Sequence, residues 1–255
     1  MAAKSHHDNV EDQFGSQASA YLTSAVHAVG RDLERLRDRL QRFPQAHVLD
    51  VGCGGGHASF TAATVVGQVT AYDLSSDMLG VVASAAQEKG LSNISTQQGY
   101  AEQLPFADET FDVVISRYSA HHWQDLGQAL REIKRVLKPG GTVFLMDVMS
   151  PGEPVRDIWL QTVEALRDTS HVRNYSSGQW LAQINEVGLT TCDLVTDRLV
   201  LEFSSWIARM RTPDALSKAI RLYQNSASQA VKAYFELQDS GSFTSDIVFI
   251  EAKKR

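Results

Sequence analysis

The chain has 255 residues, of which 43% are hydrophobic, and a formal net charge of −6 at pH 7. This length can bury a full core, and the acidic balance argues against nucleic acid or an anionic membrane surface as the main partner. The two cysteines lack metal-ligand spacing and no apolar run approaches the roughly 20 residues of a membrane span, which predicts a cytoplasmic protein with no metal site and no membrane span.

The N-terminal part divides into two regions. MAAKSHHDNVEDQFG is polar and acidic, and we expect a solvated tail there that includes the pair His6 and His7. From residue 15 to residue 43 the pattern is helical, because leucines and a phenylalanine recur at spacings of three and four between charged residues. Pro44 ends this helical pattern.

Strands and helices alternate over the next hundred residues. Short apolar runs predict strands at HVLDV, VTAYD, ISTQQ, FDVVIS and TVFLMDV. Helical patterns lie between them at HASFTAATVV, SDMLGVVASAAQEK and DLGQALREIKRVL, and Ser75 is the expected N-cap of the second helix. Strands that alternate with helices of this length predict βαβ units and a parallel sheet.

The pattern changes after Asp147. We expect helices at VRDIWLQTVEALRD and QWLAQINEV, a strand at LTTCDLVTDRLVLEF, two helical segments between residues 205 and 237, and a last strand at SDIVFIEA. This half of the chain would complete the far edge of the sheet and add helices that roof a site.

A cluster of glycines directly follows the first strand, at positions 52, 54, 55 and 56, where bare backbone can approach a ligand closely. A dinucleotide-binding turn would need its third glycine where His57 stands, and Asp50 would set a negative charge beside two phosphates. S-adenosylmethionine carries a sulfonium and an ammonium group and no phosphate, so Asp50 favours it over NAD. Asp73, at the end of the second strand, can bind both ribose hydroxyls.

Both acids also have plainer interpretations. Asp50 could bond neighbouring backbone amides, and Asp73 could stabilise the dipole of the helix that follows Ser75.

Five segments in order carry a family resemblance: VLDVGCGGG, AYDLSSDML, GYAEQLPF, FDVVIS and REIKRVLKPGG. They resemble the successive motifs of class I S-adenosylmethionine-dependent methyltransferases, and most closely the branch that includes the ubiquinone and menaquinone C-methyltransferases. The resemblance covers residues 14 to 148. It implies an α/β fold with a Rossmann-like seven-stranded sheet, mainly parallel with the last strand antiparallel, and helical cap insertions.

The resemblance also implies cofactor contacts. Met78 would lie against the adenine, Ala101 and Glu102 at its edge, and Arg117 would face the methionyl group. The full predicted set is Asp50, Gly52, Cys53, Gly54, Asp73, Leu74, Met78, Ala101, Glu102, Arg117 and Tyr21. Met78 could equally be ordinary core, and Cys53 a packing residue.

One position departs from the family pattern. Where Tyr100 stands, the family usually has an aspartate that accepts a bond from the adenine amino group, so Glu102 or a backbone carbonyl would serve instead. The segment FGSQASAY resembles one that folds over the cofactor, so Phe14 and Tyr21 are either lid residues or anchors of the first helix.

The segment SRYSAHHWQD follows the fourth strand at the active edge of the sheet. Histidine accepts a proton near neutral pH, so the candidate catalytic residues are His122, slightly favoured, His121 and Tyr118. The alternative is that one histidine ring packs beneath the cap. Enzymes that methylate amide or base-amine nitrogens characteristically carry [DN]PP[YF] here, which disfavours such acceptors.

The cap segments RDTSHVRNYS and WIARMR resemble a less characterised bacterial branch of the family and are rich in cationic residues. Bidentate arginine suits carboxylate or phosphate, so we expect an anionic acceptor bound by Arg173, His171, Arg209 and Tyr175. The alternative is that these arginines pair with acids of the cap such as Asp168 and Glu202.

These observations predict one globular unit with three regions: N-terminal lid helices over residues 1–45, a cofactor-binding α/β core over 46–150, and sheet completion with a helical substrate cap over 151–255. The predicted function is methyl transfer from S-adenosylmethionine to a small anionic molecule at carbon or oxygen, and a homodimer is compatible with it. The alternatives are an NAD(P)-dependent oxidoreductase, a non-catalytic S-adenosylmethionine-binding protein, and a methyltransferase acting on protein or RNA.

Overall fold

Seven strands form one sheet in the structure, a computed structural model that describes residues 4–15 and 30–255. In chain order they are β1 (His47–Val51), β2 (Gln68–Asp73), β3 (Ile94–Gln98), β4 (Phe111–Arg117), β5 (Leu137–Met149), β6 (Leu189–Leu201) and β7 (Phe243–Lys254). Their order across the sheet is β3-β2-β1-β4-β5-β7-β6. Strands β1 to β5 pair in parallel, whereas β7 is antiparallel to both β5 and β6. The predicted fold class is confirmed.

The helices surround this sheet. They are α1 (His6–Gly15), α2 (Arg31–Leu40), α3 (His57–Ala63), α4 (Ser76–Glu88), α5 (Leu126–Val136), α6 (Pro154–Arg167), α7 (Ser177–Glu186), α8 (Phe203–Arg209), α9 (Asp214–Ser226) and α10 (Gln229–Tyr234). Ser75 is the N-cap of α4 and accepts a hydrogen bond from the Met78 amide, as expected.

The sheet separates two apolar clusters, because side chains alternate between its faces along each strand. Val48 of β1 packs in one cluster with Leu36 and Leu40 of α2. The next residue, Leu49, packs in the other cluster, which includes Leu130 and Ile133 of α5. The strand order reverses between β1 and β4, which opens a crevice at their carboxyl ends.

The N-terminal tail is where the fold departs most from expectation. A helix, α1, forms where we predicted a solvated segment. Ser5 Oγ accepts a hydrogen bond from the Asp8 amide at 3.1 Å, and Asp8 Oδ2 accepts one from the Ser5 amide at 2.9 Å, which is a capping box. The pattern Ser-x-x-Asp was the available sequence signal. The helical pattern predicted over residues 15–43 contains α2, and residues 16–29 of that range lie outside the described residues.

Two smaller differences concern the second half. Strand β5 begins at Leu137 and runs through the KPGG segment that we predicted as a turn, with a shift of register against β4. Three helices, α8 to α10, form where two were predicted between residues 205 and 237. Trp159 of α6, Trp206 of α8 and Phe235 after α10 form one apolar cluster, which holds this cap together.

In the described part of the chain, every helix is too short or too polar to cross a membrane. Within the same residues, no group of three or more His, Cys, Asp or Glu side chains is arranged to hold a metal ion.

Candidate active site

A cavity that is partly open to solvent lies at the carboxyl ends of β1, β2 and β4. It is lined by all the described residues for which the sequence predicts a cofactor contact, namely Asp50, Gly52, Cys53, Gly54, Asp73, Leu74, Met78, Ala101, Glu102 and Arg117. The eleventh, Tyr21, lies outside the described residues. We call this the first cavity; the individual roles of its residues stay predictions.

Asp50 is fully buried on β1 and lines the first cavity. Its Oδ2 accepts a hydrogen bond from Ser59 Oγ at 2.6 Å, whereas its Oδ1 has no hydrogen-bond partner among the described residues. Burial raises the pKa of Asp50 to about 7; bonds from Ser59 oppose this shift, and the negative charge of Asp73 adds to it. A buried carboxylate with one unsatisfied oxygen at a cavity wall suits a cationic ligand and disfavours a phosphate.

Asp73, at the end of β2, stabilises the glycine turn through hydrogen bonds. Its Oδ2 accepts a bond from the Gly54 amide at 2.8 Å, and its Oδ1 accepts one from the Ser75 amide at 2.9 Å. Burial nevertheless raises the pKa of Asp73. Each carboxylate oxygen has a second acceptor site, so these bonds leave capacity for ligand hydroxyls.

Two glycines of the turn make a matched pair for mutation. Both have a positive φ, 69° at Gly52 and 49° at Gly54, where any side chain is strained. A Cβ at Gly52 would lie 1.8 Å from Ser119 Oγ, whereas a Cβ at Gly54 would meet no described atom within 4 Å.

We therefore expect Gly52→Ala to destabilise the fold, and Gly54→Ala to cost only about 1 kcal/mol of strain while blocking ligand approach. Thermal unfolding and ligand titration of both variants check this. Equal losses of melting temperature in the two variants would contradict it.

Arg117, at the end of β4, lies in a buried ion pair that the sequence analysis missed. Its Nε donates to Asp32 Oδ2 at 2.5 Å, and both side chains are 5% exposed. Asp32 lies one turn before Leu36 and two turns before Leu40 on the apolar face of α2. An acid in an apolar stripe was the available signal, since a buried charge needs a partner.

The predicted adenine end of the cavity contains Met78, which is buried, and Glu102. Glu102 Oε1 accepts bonds from the backbone amides of Gln124 at 2.8 Å and Asp125 at 3.3 Å. Tyr100, where the family usually has aspartate, is 43% exposed and also lines the cavity.

Helix α1 covers the first cavity with one face. The residues on this face are His7, Val10, Glu11 and Phe14, which have the spacing of a single helical stripe. Of these residues only Phe14 was predicted from the sequence, because the polar composition of this segment did not indicate a helix.

The loop after β4 begins under strain. Tyr118 has φ = 51°, which is uncommon for a bulky residue, and its amide donates to the Met146 carbonyl at 2.8 Å. Burial is the main cause that raises the pKa of the Tyr118 hydroxyl. Such strain is concentrated at functional sites.

His121 and His122 follow with different environments. His121 Nδ1 lies 2.5 Å from Asp147 Oδ1 on β5, and the ring centroids of the two histidines are 4.2 Å apart. Burial lowers the pKa of His121, but the negative charge of Asp147 and the hydrogen bond to it outweigh burial, so the net shift is upward. Burial and the neighbouring His121 lower the pKa of His122 to about 4.

A second cavity lies beneath the cap. Phe14, Tyr118 and His122 line both cavities and therefore form the wall between them. The other residues of the second cavity are His121, Val148, Glu164, Arg167, Asp168, Leu199, Leu201, Trp206, Arg209 and Met210. His121 and Arg209 thus share a cavity next to the first.

The remaining predicted substrate residues lie elsewhere in the cap. Arg173 donates to Asp157 at 2.8 Å, an acid pairing of the kind expected under the alternative interpretation of these arginines. His171 Nε2 lies 3.0 Å from Gln161, and burial lowers its pKa to about 2. Tyr175 packs against Trp180, with 5.6 Å between ring centroids. These three residues do not line either described cavity.

Comparisons with known proteins agree with this architecture. The family described as "Methyltransferase domain" matches residues 49–145. The "Uncharacterized protein YafE" of Escherichia coli (strain K12) is 66% identical over 203 residues, which is 80% of this chain and 98% of that protein.

Two further relatives carry methyltransferase names. The "Uncharacterized methyltransferase YcgJ" of Bacillus subtilis (strain 168) is 36% identical over 96% of this chain and 99% of that protein. Its crystal structure superposes with a TM-score of 0.84, covering 88% of this chain and 98% of that one. The demethylmenaquinone methyltransferase of Chlorobaculum parvum is 36% identical over 48% of this chain and 49% of that protein. With these relatives, its motifs and its sheet, the chain belongs to the class I methyltransferase family.

Proposed function

We propose that this protein transfers a methyl group from S-adenosylmethionine to a small anionic acceptor, at carbon or oxygen. The observation that carries the proposal is Asp50, a buried carboxylate on the wall of the first cavity whose Oδ1 lacks a hydrogen-bond partner among the described residues. The methyltransferase names of the relatives support the reaction. The name demethylmenaquinone methyltransferase supports a small-molecule acceptor.

The residues of the first cavity fit the cofactor. When bound, S-adenosylmethionine supplies a methyl group on a positively charged sulfur. Asp50 would attract its cationic groups, Asp73 would bind the ribose hydroxyls, and Arg117 would face the methionyl carboxylate. A diphosphate would instead meet the carboxylates of Asp50 and Asp73, which argues against NAD.

The second cavity is the proposed acceptor site. It adjoins the first cavity at Phe14, Tyr118 and His122. An acceptor held there would be separated from the methyl group only by these three side chains. Positioning of two reactants in a closed site supplies much of the acceleration in such displacements. Arg209 lines this cavity and is the proposed anion-binding residue.

Paired arginine variants test the anionic acceptor. Arg209→Met is expected to raise the acceptor KM about tenfold or more, which is the loss of one charge-assisted bond, and to leave the cofactor Kd unchanged. Arg173→Met is the matched control and should leave both constants unchanged, because Arg173 is paired with Asp157 outside the cavity. A raised KM in the control alone would reject Arg209 as the anion site.

His121 is the proposed general base for an acceptor that must lose a proton. Asp147 holds its Nδ1, which leaves Nε2 to accept the proton of an acceptor hydroxyl or acidic carbon. His122 is the weaker candidate, since its lowered pKa makes it a poor base.

The pH profile of methyl transfer tests this assignment. His121 accepts a proton only when neutral, so kcat/KM should rise with pH through a pKa above 6.5. The titratable and charged groups around this ring are Asp147, Glu164, Asp168, His122, His171, Arg167, Arg209 and Tyr118. Asp147→Asn removes the largest attraction and should move the rise to lower pH.

His121→Gln should lower kcat by about 10² or more, a typical general-base effect. His171→Gln is the control, because its ring bonds Gln161 and does not line the cavity. If His121→Gln retained wild-type kcat, the acceptor would need no base from His121.

Label transfer tests the function as a whole. The purified protein is incubated with methyl-deuterated S-adenosylmethionine and a small-molecule extract, and labelled products are found by mass spectrometry. We expect a labelled acid whose formation stops in Asp50→Asn. Tight cofactor binding without any labelled product would favour the non-catalytic binding protein instead.

A further inference from the structure

The adenine end of the first cavity lacks the acid that the family usually has at position 100. Tyr100 stands there, and its carbonyl already accepts a bond from the Tyr72 hydroxyl at 3.0 Å. The Tyr100 ring is stacked on the His7 ring, with centroids 4.3 Å apart and planes at 26°. A tyrosine at 100 therefore positions an imidazole from α1 at this end of the cavity.

His7 has a buried nitrogen that the described fold does not use. Its Nε2 has no hydrogen-bond partner among the described residues, although the ring lines the first cavity. Glu102 Oε2 lies 3.5 Å away, within ion-pair range and beyond a good hydrogen bond. A buried polar nitrogen without a partner costs free energy unless a ligand satisfies it.

Other contacts hold Glu102 and the helix that carries His7 in position. Glu102 is fixed by the amides of Gln124 and Asp125 at its other oxygen, Oε1. Helix α1 is attached by the side chains of His6 and Gln13, which lie 2.9 and 2.8 Å from the carbonyls of His122 and Met210. A site whose groups are already ordered loses less entropy when it binds.

We propose that His7 and Glu102 together bind the edge of the adenine and replace the aspartate that is missing at position 100. This inference rests on the proposed use of S-adenosylmethionine. Adenine presents a donor amino group beside acceptor ring nitrogens, which matches a carboxylate oxygen beside an imidazole N–H. Helix α1 is then part of the cofactor site as well as its cover.

The test compares two ligands that differ only at this edge, by calorimetric Kd. They are S-adenosyl-L-homocysteine and S-inosyl-L-homocysteine, in which a carbonyl oxygen replaces the amino group and the adjacent ring nitrogen carries a proton. His7→Phe keeps the stacking on Tyr100 and removes Nε2. His6→Phe is the matched control on the same helix, because His6 does not line the cavity.

The wild type should bind the adenosyl ligand at least about tenfold more tightly than the inosyl ligand, and His7→Phe should reduce that preference about five- to tenfold. His6→Phe should keep the preference even where both affinities fall. Equal weakening of the two ligands in His7→Phe, with the preference intact, would mean that His7 only supports α1, and the inference would fail alone. A wild type that binds neither ligand would overturn the inference and the proposed function together.

Discussion

Asp50→Asn is expected to make the ligand-free protein more stable at pH 8 and to abolish its binding of S-adenosylmethionine. The folded protein keeps the pKa of Asp50 near 7 mainly by burial, against 3.8 for an exposed aspartate. Ionisation of Asp50 is therefore disfavoured in the folded protein. The resulting loss in the free energy of unfolding is absent below pH 3.8, grows as the pH rises to 7, and is complete above pH 7. Three pKa units correspond to about 4 kcal/mol.

Thermal unfolding at two pH values measures this penalty. The variant should melt about 10 °C above the wild type at pH 8, and the gap should shrink at pH 4.5, where wild-type Asp50 is protonated. Asp77→Asn, an exposed acid in the first turn of α4, is the control and should show no such gap. A variant that is less stable than the wild type at both pH values and still binds the cofactor would refute the assigned role of Asp50.

The second large effect concerns the buried pair between α2 and β4. Asp32→Asn should lower the free energy of unfolding by about 3–5 kcal/mol, because it leaves the Arg117 charge buried without its carboxylate partner. The melting temperature should fall by about 10 °C. Cofactor affinity should fall as well, since Arg117 lines the first cavity.

A matched acid on the same helix provides the control. Asp38 has a side chain that is 68% exposed and lies 4.0 Å from Arg37, so Asp38→Asn should change the stability by less than about 0.5 kcal/mol. The double variant Asp32→Leu with Arg117→Met should recover part of the lost stability, because it removes both charges. Equal stability of Asp32→Asn and Asp38→Asn would show that the buried pair contributes nothing.

The features that could be predicted from the sequence depend on short, contiguous segments. Asp50, the glycines after it and Asp73 lie at the ends of strands, so a periodic pattern and a turn locate them together at one edge of the sheet. The strand positions followed from runs of apolar residues in the same way. The cavity that gathers these residues needed only the rule that ligands bind at the carboxyl ends of parallel strands.

Pairings between distant segments could not be predicted in this way. Asp32 and Arg117 are 85 residues apart, and His121 and Asp147 are 26 apart on different elements. Nothing local to either partner specifies the other, although an acid on an apolar helix face indicates that a partner exists. Helix α1 was missed because the segment is polar and acidic, and its place over the cavity depends on tertiary contacts.

The most direct test of the central claim is calorimetry of the wild-type protein with S-adenosylmethionine and with NADH. The carboxylate of Asp50 on the cavity wall should admit the sulfonium compound and exclude the diphosphate. We predict a measurable Kd for S-adenosylmethionine and no detectable heat with NADH. Tight binding of NADH, together with no binding of S-adenosylmethionine, would contradict the account.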